Sequence, residues 1–263
     1  MGPHDCRITT RYNERHFNEA FFGILHEAGH GLYEQGLRTD HYGLPTGEAI
    51  SLGIHESQSR MWENFVGRSR SFWQYAYPLA SQAFPEALRD VPVDAFYFAV
   101  NDVRPSLIRV EADEVTYNLH IMVRFELEQA LINDGMSVAD LPAAWNEKYR
   151  QYLGLTPPND ADGVLQDIHW SAGLFGYFAT YALGNLCAAQ FFEQADRDCG
   201  GLHAQFARGE FSTLREWLVE KIHEPGRRYT TAELIERVTG KPLSHDALIR
   251  HLRGKFEPLY GVV

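Results

Sequence analysis

Most of the chain carries apolar residues at the three- and four-residue spacing of amphipathic α-helices. Such patterns predict helices over residues 13–36, 46–68, 71–84, 106–133, 137–154, 211–224, 231–238 and 244–256. Residues 172–194 are apolar on nearly all sides, which predicts a buried helix or a pair of buried helices. The pattern therefore predicts a mainly α fold.

Two short segments favour β structure instead. Residues 7–12 (RITTRY) are rich in β-branched and aromatic side chains, and residues 164–170 (VLQDIHW) offer a second, shorter strand. Residues 155–163 are dense in Pro, Asn, Asp and Gly and form the clearest loop. No repeat or linker divides the chain, so we expect residues 1–263 to form a single domain with a small β element.

Composition and charge narrow the classes of partner and compartment. The chain has 263 residues, of which 44% are hydrophobic, enough to bury a large core. Its formal net charge is −11 and it has no run of Lys or Arg, so neither nucleic acid nor a membrane surface is an expected partner. Cys6, Cys187 and Cys199 have no CxxC spacing, which argues against a disulfide framework. With no leader and no apolar run of roughly 18 residues, we expect a cytoplasmic location.

The candidate chemistry begins in residues 21–36 (FFGILHEAGHGLYEQG), where His26, Glu27 and His30 interrupt an apolar helix. Residues four apart lie on one helical face, so His26 and His30 can bind one metal ion together. Glu27 lies beside them, where a carboxylate can accept a proton from a water molecule that the metal activates. Five-residue HExxH matches also arise by chance, so an ordinary buried helix is the alternative for this motif alone.

A catalytic zinc ion normally takes three protein ligands and leaves one position open. Glu56 is the candidate for the third ligand, because it lies on the second predicted helix after a turn that contains Gly and Pro. A His/His/Glu set on two antiparallel helices is the thermolysin-like arrangement. The alternative for Glu56 is a solvated helix charge, and His55, Glu63 or Glu48 are neighbouring candidates for the same role.

A dinuclear site is a second metal hypothesis. The chain contains two ExxH pairs: Glu27 with His30, and Glu220 with His223. A carboxylate-bridged di-iron bundle needs two further glutamates on other inward faces, for which Glu56 and Glu111 are available. The second pair lies in a helix whose neighbours look like surface, and His26 would have no role. The mononuclear site is therefore favoured.

Five motifs then resemble one family. They are DCRIT (5–9), HEAGH (26–30), HESQ (55–58), IRVEAD (108–113) and GVLQDIHW (163–170). In this order they resemble the carboxypeptidase Taq family of zinc-dependent metallocarboxypeptidases. The resemblance implies a helical body with a small sheet by the site, and removal of single residues from peptide C-termini with broad specificity. It also implies a homodimer that uses Zn²⁺ and accepts Co²⁺.

The resemblance implies roles for particular residues. His26, His30 and Glu56 would be the metal ligands and Glu27 the general base. A free C-terminal carboxylate is best bound by arginine. Two family arginines are available for this, Arg109 first and Arg7 second, with Asp113 expected to hold the Arg109 guanidinium and Asp5 in an orienting role.

The last motif would supply groups that stabilise the negative charge developing on the scissile carbonyl. His169 and either Tyr177 or Tyr181 are the expected donors, although a buried tyrosine is more often a core residue with a satisfied hydroxyl. Gln166 is expected to orient His169 or bind substrate, and Asp167 to orient His169.

The sequence departs from the family pattern at its start, where the HPF motif and the preceding helical region are not found. We therefore expect the chain to correspond to the C-terminal catalytic half of the family. Two functions stay open on this basis. One is a working metallocarboxypeptidase, and the other is a metal-binding, dimerising remnant without peptidase turnover.

Overall fold

The computed structural model describes residue 2 and residues 5–262. The chain folds into two compact units, which are described separately. The first unit contains residues 1–100 and 183–263, and the second unit contains residues 101–182. The expectation of a single catalytic domain stays a prediction.

The described residues form eleven α-helices, which confirms the mainly α prediction. They are α1 (Phe17–Gly36), α2 (Leu52–Arg60), α3 (Arg70–Ala83), α4 (Val93–Val100), α5 (Tyr117–Ile132), α6 (Leu141–Leu153), α7 (Ala179–Asp198), α8 (Leu202–Phe206), α9 (Ser212–Leu218), α10 (Thr231–Thr239) and α11 (Asp246–Tyr260). Helices α2 and α9 continue into wider π-helical turns, over Met61–Gly67 and Val219–His223. None of these helices combines the length and the apolar character that crossing a bilayer requires.

The small β element is absent from residue 2 and residues 5–262. Residues 7–12 have no regular secondary structure, and residues 164–170 form turns and bends. A β-strand exists only through hydrogen bonds to a neighbouring strand, and no described segment supplies such a partner. The prediction of two strands is therefore wrong for these segments, because β propensity alone does not create a ladder.

The helix predicted over residues 106–133 begins only at Tyr117. The Asp113 carboxylate accepts hydrogen bonds from the backbone N–H of Thr116 (2.9 Å) and from its hydroxyl (2.7 Å). A side chain that bonds the backbone of the next few residues ends an extended segment and starts a helix. These bonds hold residues 113–116 in a turn before α5 and outweigh the amphipathic pattern in the first part of the predicted helix.

Two clusters of buried apolar side chains form the interior of the first unit. One surrounds Trp73 on α3, with Phe22 of α1 and Phe96 of α4. The larger cluster contains Tyr33 of α1 and Ile54 of α2. Helix α1 contributes to both, so the helix that carries the HEAGH segment is fixed by packing near each of its ends.

In the second unit, α5 and α6 pack together through an aromatic and aliphatic cluster. Trp145 and Tyr149 of α6 stack at 5.0 Å between ring centroids, against Val123 and Leu127 of α5. Arg124 is fully buried beside them, with its guanidinium carbon 4.6 Å from the Trp145 ring centroid. A buried arginine needs compensating acceptors, and these lie in the loop that follows α6.

Candidate metal centre

Helix α1 places His26 and His30 one turn apart on one face, as their spacing predicts. Their ring centroids are 4.9 Å apart. Gly29 lies between them in sequence and faces α2, where an added Cβ would be 2.6 Å from the Gln58 carbonyl oxygen. Glycine at this position therefore lets the backbones of α1 and α2 approach closely.

Glu56 reaches the same site from α2. Ser51 caps this helix by accepting a hydrogen bond from the Ile54 N–H (3.3 Å). On the other side, Gly184 of α7 packs against the glutamate stem, since a Cβ there would lie 2.4 Å from Glu56 Cγ. Two glycines on two helices thus leave the space that Glu56 occupies, and its side chain is only 7% exposed.

The three predicted ligands converge on one point. Glu56 Oε2 lies 3.5 Å from His30 Nε2 and 3.7 Å from His26 Nε2. Within the described part of the chain these are the one group of three or more candidate ligands whose atoms all lie within 4.8 Å of one another. Ligands held about 2.0–2.1 Å from a tetrahedral ion are roughly 3.3 Å apart. The residues therefore fit a single divalent metal ion.

The second ring nitrogen of His26 is occupied by Glu63. His26 Nδ1 lies 3.0 Å from Glu63 Oε2. An ionised carboxylate can only accept, so Nδ1 carries the proton and donates it. The lone pair is then on Nε2, the atom that faces Glu56. This carboxylate–histidine pairing is the arrangement that orients histidine ligands in metalloproteins.

His30 is oriented by a longer chain of hydrogen bonds. His55 Nε2 donates to Glu34 Oε1 (2.9 Å), and His55 Nδ1 lies 2.6 Å from His30 Nδ1. Because the first bond uses the proton on Nε2, the Nδ1 of a neutral His55 is an acceptor. His30 must donate from Nδ1, which again leaves Nε2 free. Both candidate ligands therefore carry the tautomer that metal binding requires.

Arg60 lies between the two carboxylates of the site. It donates from Nε to Glu56 Oε1 (2.8 Å) and from Nη1 to Glu63 Oε2 (3.1 Å). Burial raises the pKa of Glu56, but the positive charge of Arg60 outweighs burial and lowers the pKa to about 2. The same balance of burial against Arg60 and His26 lowers the pKa of Glu63 to about 2. Both carboxylates are therefore ionised at neutral pH.

Glu27 lies on α1 between the two histidines and is partly buried. No hydrogen bond or ion pair joins its carboxylate to another residue in the part of the chain that the structure describes. A carboxylate that no neighbour engages is available to accept a proton, which is the property that a general base needs.

In the second unit, Arg109 binds Asp167 and not Asp113. The Arg109 guanidinium donates to Asp167 from Nε (3.2 Å) and Nη2 (2.7 Å), and to the Tyr117 hydroxyl from Nη1 (2.8 Å). The predicted Arg109–Asp113 contact is wrong, because Arg109 lies in the 3₁₀ turn Arg109–Glu111 and not on an α-helix. Asp113 instead accepts hydrogen bonds from backbone N–H groups in the turn before α5. Arg109 is only 5% exposed.

Asp167 and Gln166 connect Arg109 to a second buried arginine. Arg124 donates from Nε to Asp167 Oδ2 (2.7 Å) and from Nη2 to Gln166 Oε1 (2.8 Å). The same Gln166 oxygen accepts the backbone N–H of Arg109 (2.9 Å). Burial raises the pKa of Asp167, but Arg109 and Arg124 outweigh burial and lower it. We call these four residues the arginine network.

The structure brings His169, Tyr177 and Tyr181 together in the second unit. His169 Nε2 is 3.0 Å from the Tyr181 hydroxyl, and the His169 and Tyr177 ring centroids are 5.3 Å apart. His169 Nδ1 is buried without a hydrogen-bond partner, 3.8 Å from Asp167 Oδ1. Burial lowers the pKa of His169, so the ring is neutral near pH 7.

The remaining candidates have simpler surroundings. Arg7 forms a bidentate ion pair with Asp5, at 2.7 and 3.1 Å, and its side chain is 73% exposed. Glu48, an alternative ligand, pairs with Arg227 instead (2.9 Å).

The dinuclear alternative does not assemble around the second ExxH pair. Glu220 is exposed and pairs with Lys221 (2.6 Å). His223 is buried, contrary to the expectation of a surface location, and its Nε2 lies 2.9 Å from Gln58 Oε1. The two members of the pair thus lie in different environments.

Comparison with known proteins shows which family the chain belongs to. A sequence model described as Carboxypeptidase Taq (M32) metallopeptidase matches residues 1–256. The chain belongs to the carboxypeptidase Taq (M32) family. Thermostable carboxypeptidase 1 of Thermus thermophilus is 56% identical over 261 residues, covering 99% of this chain and 51% of that protein. Carboxypeptidase 1 of Bacillus subtilis is 46% identical over 256 residues, covering 97% of this chain and 51% of that protein.

A solved structure of this family has the same fold. The M32 carboxypeptidase from Deinococcus radiodurans R1 superposes with a TM-score of 0.97 at 50% identity, covering 99% of this chain and 53% of that one. The chain thus spans about half the length of the relatives it matches. Membership of a metallopeptidase family implies a metal cofactor.

Sequence reasoning missed part of this M32 site. Glu63 and His55 were considered as competing ligands, but they bind the far nitrogens of the ligand histidines. Arg60 and Glu34 had no predicted role. Arg60 lies four residues after Glu56 and three before Glu63, so all three share one helical face, and this spacing was the signal available.

Proposed function

We propose that this M32 chain carries the catalytic centre of a metallocarboxypeptidase, which hydrolyses C-terminal peptide bonds and releases single amino acids with broad specificity. The substrates would be peptides with a free C-terminus. The observation that carries the proposal is the convergence of His26, His30 and Glu56, with the unengaged Glu27 carboxylate beside them in the sequence. These residues would hold Zn²⁺, or Co²⁺ in its place.

A bound divalent ion supplies a Lewis acid, which polarises the scissile carbonyl and acidifies water toward neutral pH. Glu27 accepts the proton of the attacking water and returns it to the leaving amine. Glu63 and His55 keep the Nδ1 protons on His26 and His30, so the ligand nitrogens stay free of protons.

The last motif would stabilise the transition state. Negative charge develops on the carbonyl oxygen during attack, and fixed donors lower that barrier. We assign this role to His169 with Tyr177 or Tyr181, supported by the family motif and by the hydrogen bond between His169 and Tyr181 (3.0 Å). Gln166 and Asp167 would orient this segment through their contacts with buried arginines.

Arg109 and Arg7 are the proposed partners of the substrate carboxylate. Arg7 is largely exposed and already binds a carboxylate, that of Asp5, in bidentate geometry. Arg109 is buried and uses its guanidinium on Asp167 and Tyr117. Exposure therefore favours Arg7 over the motif-based first choice, with Asp5 orienting it, while Asp113 would act indirectly by holding the turn before α5.

The general-base role is tested with Glu27→Gln. A metal-loaded sample should release the C-terminal residue from a blocked dipeptide, and the variant should lose turnover while it keeps its bound metal. Glu19→Gln, on the exposed face of the same helix, is the matched control and should keep both. Wild-type protein that binds one metal ion without releasing product would instead establish the metal-binding remnant.

The arginine assignments are tested by comparing blocked dipeptides with a free or an amidated C-terminus. Arg7→Gln and Arg109→Gln are each measured as kcat/KM on both substrates. Replacing the arginine that binds the carboxylate should lower the preference for the substrate with a free C-terminus. The decrease should be roughly 10-fold or more if a charge-assisted bond of about 1.5–3 kcal/mol is lost. An equal loss on both substrates would contradict that residue's assignment.

We also propose that the protein is a homodimer in the cytoplasm. Residues 1–263 would form a single catalytic domain that matches the C-terminal half of the family. The described Cys6, Cys187 and Cys199 are free thiols, which supports a reducing compartment. Light scattering on the purified chain tests the dimer, which a monomer mass would contradict.

A further inference from the structure

The residue that connects the ligand Glu56 to the outer partner Glu63 is Arg60. The three residues follow at i, i+4 and i+7, so one helical face presents carboxylate, guanidinium and carboxylate in a row. All three side chains are largely buried, with exposures of 7%, 11% and 13% in chain order. The planar fork of arginine suits such a bridge, because separate N–H groups reach separate carboxylates.

The two oxygens of Glu56 have different partners. Oε1 accepts the hydrogen bond from Arg60 Nε (2.8 Å). Oε2 is the atom that lies near both ligand nitrogens, and it also accepts a hydrogen bond from the Ser59 hydroxyl (3.3 Å). Arg60 therefore holds one oxygen away from the metal position and presents the other.

Two carboxylates of the site are paired with arginines before any ion is bound. Two carboxylates, Glu56 and Glu63, face two guanidinium groups, Arg60 and Arg68, with Arg68 Nη2 at 3.7 Å from Glu63 Oε1. Uncompensated carboxylates at this burial would be strongly unfavourable. The ligand set can thus stay assembled and ionised in the metal-free protein.

From this geometry we infer that Arg60 is a positioning residue, which restricts Glu56 to one-oxygen metal binding and preforms the ligand set. The inference rests on the proposed metal site and goes beyond it. One-oxygen binding keeps the coordination number low, so that positions for water and substrate stay open. Loss of the clamp would free both oxygens and let the carboxylate bind through two.

The test replaces Arg60 with Gln and with Lys and uses Co²⁺ as the probe. The dissociation constant for Co²⁺ and the visible spectrum of the bound ion are measured, since band intensity falls as coordination number rises. Arg60→Gln should weaken Co²⁺ binding about 10- to 100-fold and lower the band intensity. Arg60→Lys keeps the charge without the fork, so it should weaken binding less and still change the spectrum.

Arg38→Gln is the matched control, because Arg38 forms an exposed ion pair with Asp40 and should leave both readouts unchanged. Folding is checked by circular dichroism of the metal-free proteins. If Arg60→Gln does not fold, Arg60→Lys decides the matter, since it leaves no buried carboxylate without a cation.

Folded variants with the wild-type dissociation constant and spectrum would overturn the inference while leaving the proposed function intact. A wild-type chain that binds no Co²⁺ would instead overturn the proposed metal site together with the inference.

Discussion

Both units contain a buried cluster that pairs arginine with carboxylate, but the clusters differ in how many carboxylate oxygens the arginines bind. In the second unit, both oxygens of Asp167 accept hydrogen bonds from Arg109 and Arg124. In the first unit, Arg60 engages one oxygen of Glu56 and leaves the other within 4 Å of two histidine nitrogens. In the second unit both carboxylate oxygens of Asp167 are bound by arginines, whereas in the first unit three acceptor atoms converge.

This difference separates a structural network from a binding site. Buried polar groups in folded proteins normally find partners of opposite character. Three acceptors that lie within 4.8 Å of one another instead favour a cation between them. The clusters are therefore distinguished by which atoms converge. Perturbing the arginine network should chiefly lower stability, whereas perturbing the other cluster should also weaken metal binding.

The largest expected effect is on the arginine network. Asp167→Asn leaves Arg109 and Arg124 without their shared counter-ion, so it should lower the free energy of unfolding of the second unit by about 3–5 kcal/mol. Hydrogen exchange of amides in residues 101–182 measures this loss. Arg150→Gln, which breaks an exposed pair with Glu147, is the control and should cost under about 1 kcal/mol. Equal exchange in both variants would contradict a structural role for Asp167.

A smaller effect is expected where α1 and α2 touch. Gly29→Ala adds a Cβ that would meet Ser59 Cα at 2.6 Å, so the helices must separate. We expect a loss of about 1–3 kcal/mol in unfolding free energy together with weaker metal binding. Gly254→Ala on α11 adds its Cβ in open space and should stabilise by roughly 0.5–1 kcal/mol. If Gly29→Ala kept the metal affinity of the wild type, the close contact between α1 and α2 would not be needed for the metal site.

The smallest effect, counted for one histidine over one pH unit, is on the pH dependence of stability. Burial, followed by the charge of Arg124, lowers the pKa of His120 to about 3, and burial lowers that of His223 to about 3. Below about pH 6.5 the unfolded chain takes up protons that the folded histidines exclude, so stability falls as the pH falls. Each histidine should contribute about 1.4 kcal/mol per pH unit.

Urea unfolding at a series of pH values measures this slope. His120→Gln should reduce it, whereas replacing the exposed His245 should not, because water solvates that ring in both states. An unchanged slope in His120→Gln would show that the folded protein already accommodates the charged ring.

The convergence of His26, His30 and Glu56 could be predicted from the sequence because it depends on local spacing. His26 and His30 share a helical face by their four-residue separation, and Glu56 follows on the next helix. The same helical rule also contained the positions of Arg60 and Glu63, although it could not say that Glu63 would bind Nδ1 of His26. That contact depends on packing around Gly29 and Gly184, which bring three helices together.

The second unit shows where such reasoning fails. Arg109 was expected to pair with Asp113 four residues away, but its partner Asp167 is 58 residues away. An i, i+4 rule applies only inside a helix, and Arg109 lies in a 3₁₀ turn before α5. Contacts between distant loops depend on tertiary packing, which no local pattern encodes. The predicted strands at residues 7–12 and 164–170 failed for the same reason.

We propose above all that His26, His30 and Glu56 hold one metal ion. The most direct test is equilibrium dialysis of Zn²⁺ against the wild type and the double variant His26→Gln, His30→Gln, with folding checked by circular dichroism. We expect one bound equivalent in the wild type and none in a folded double variant. Equal binding by both proteins would show that these histidines do not hold the ion.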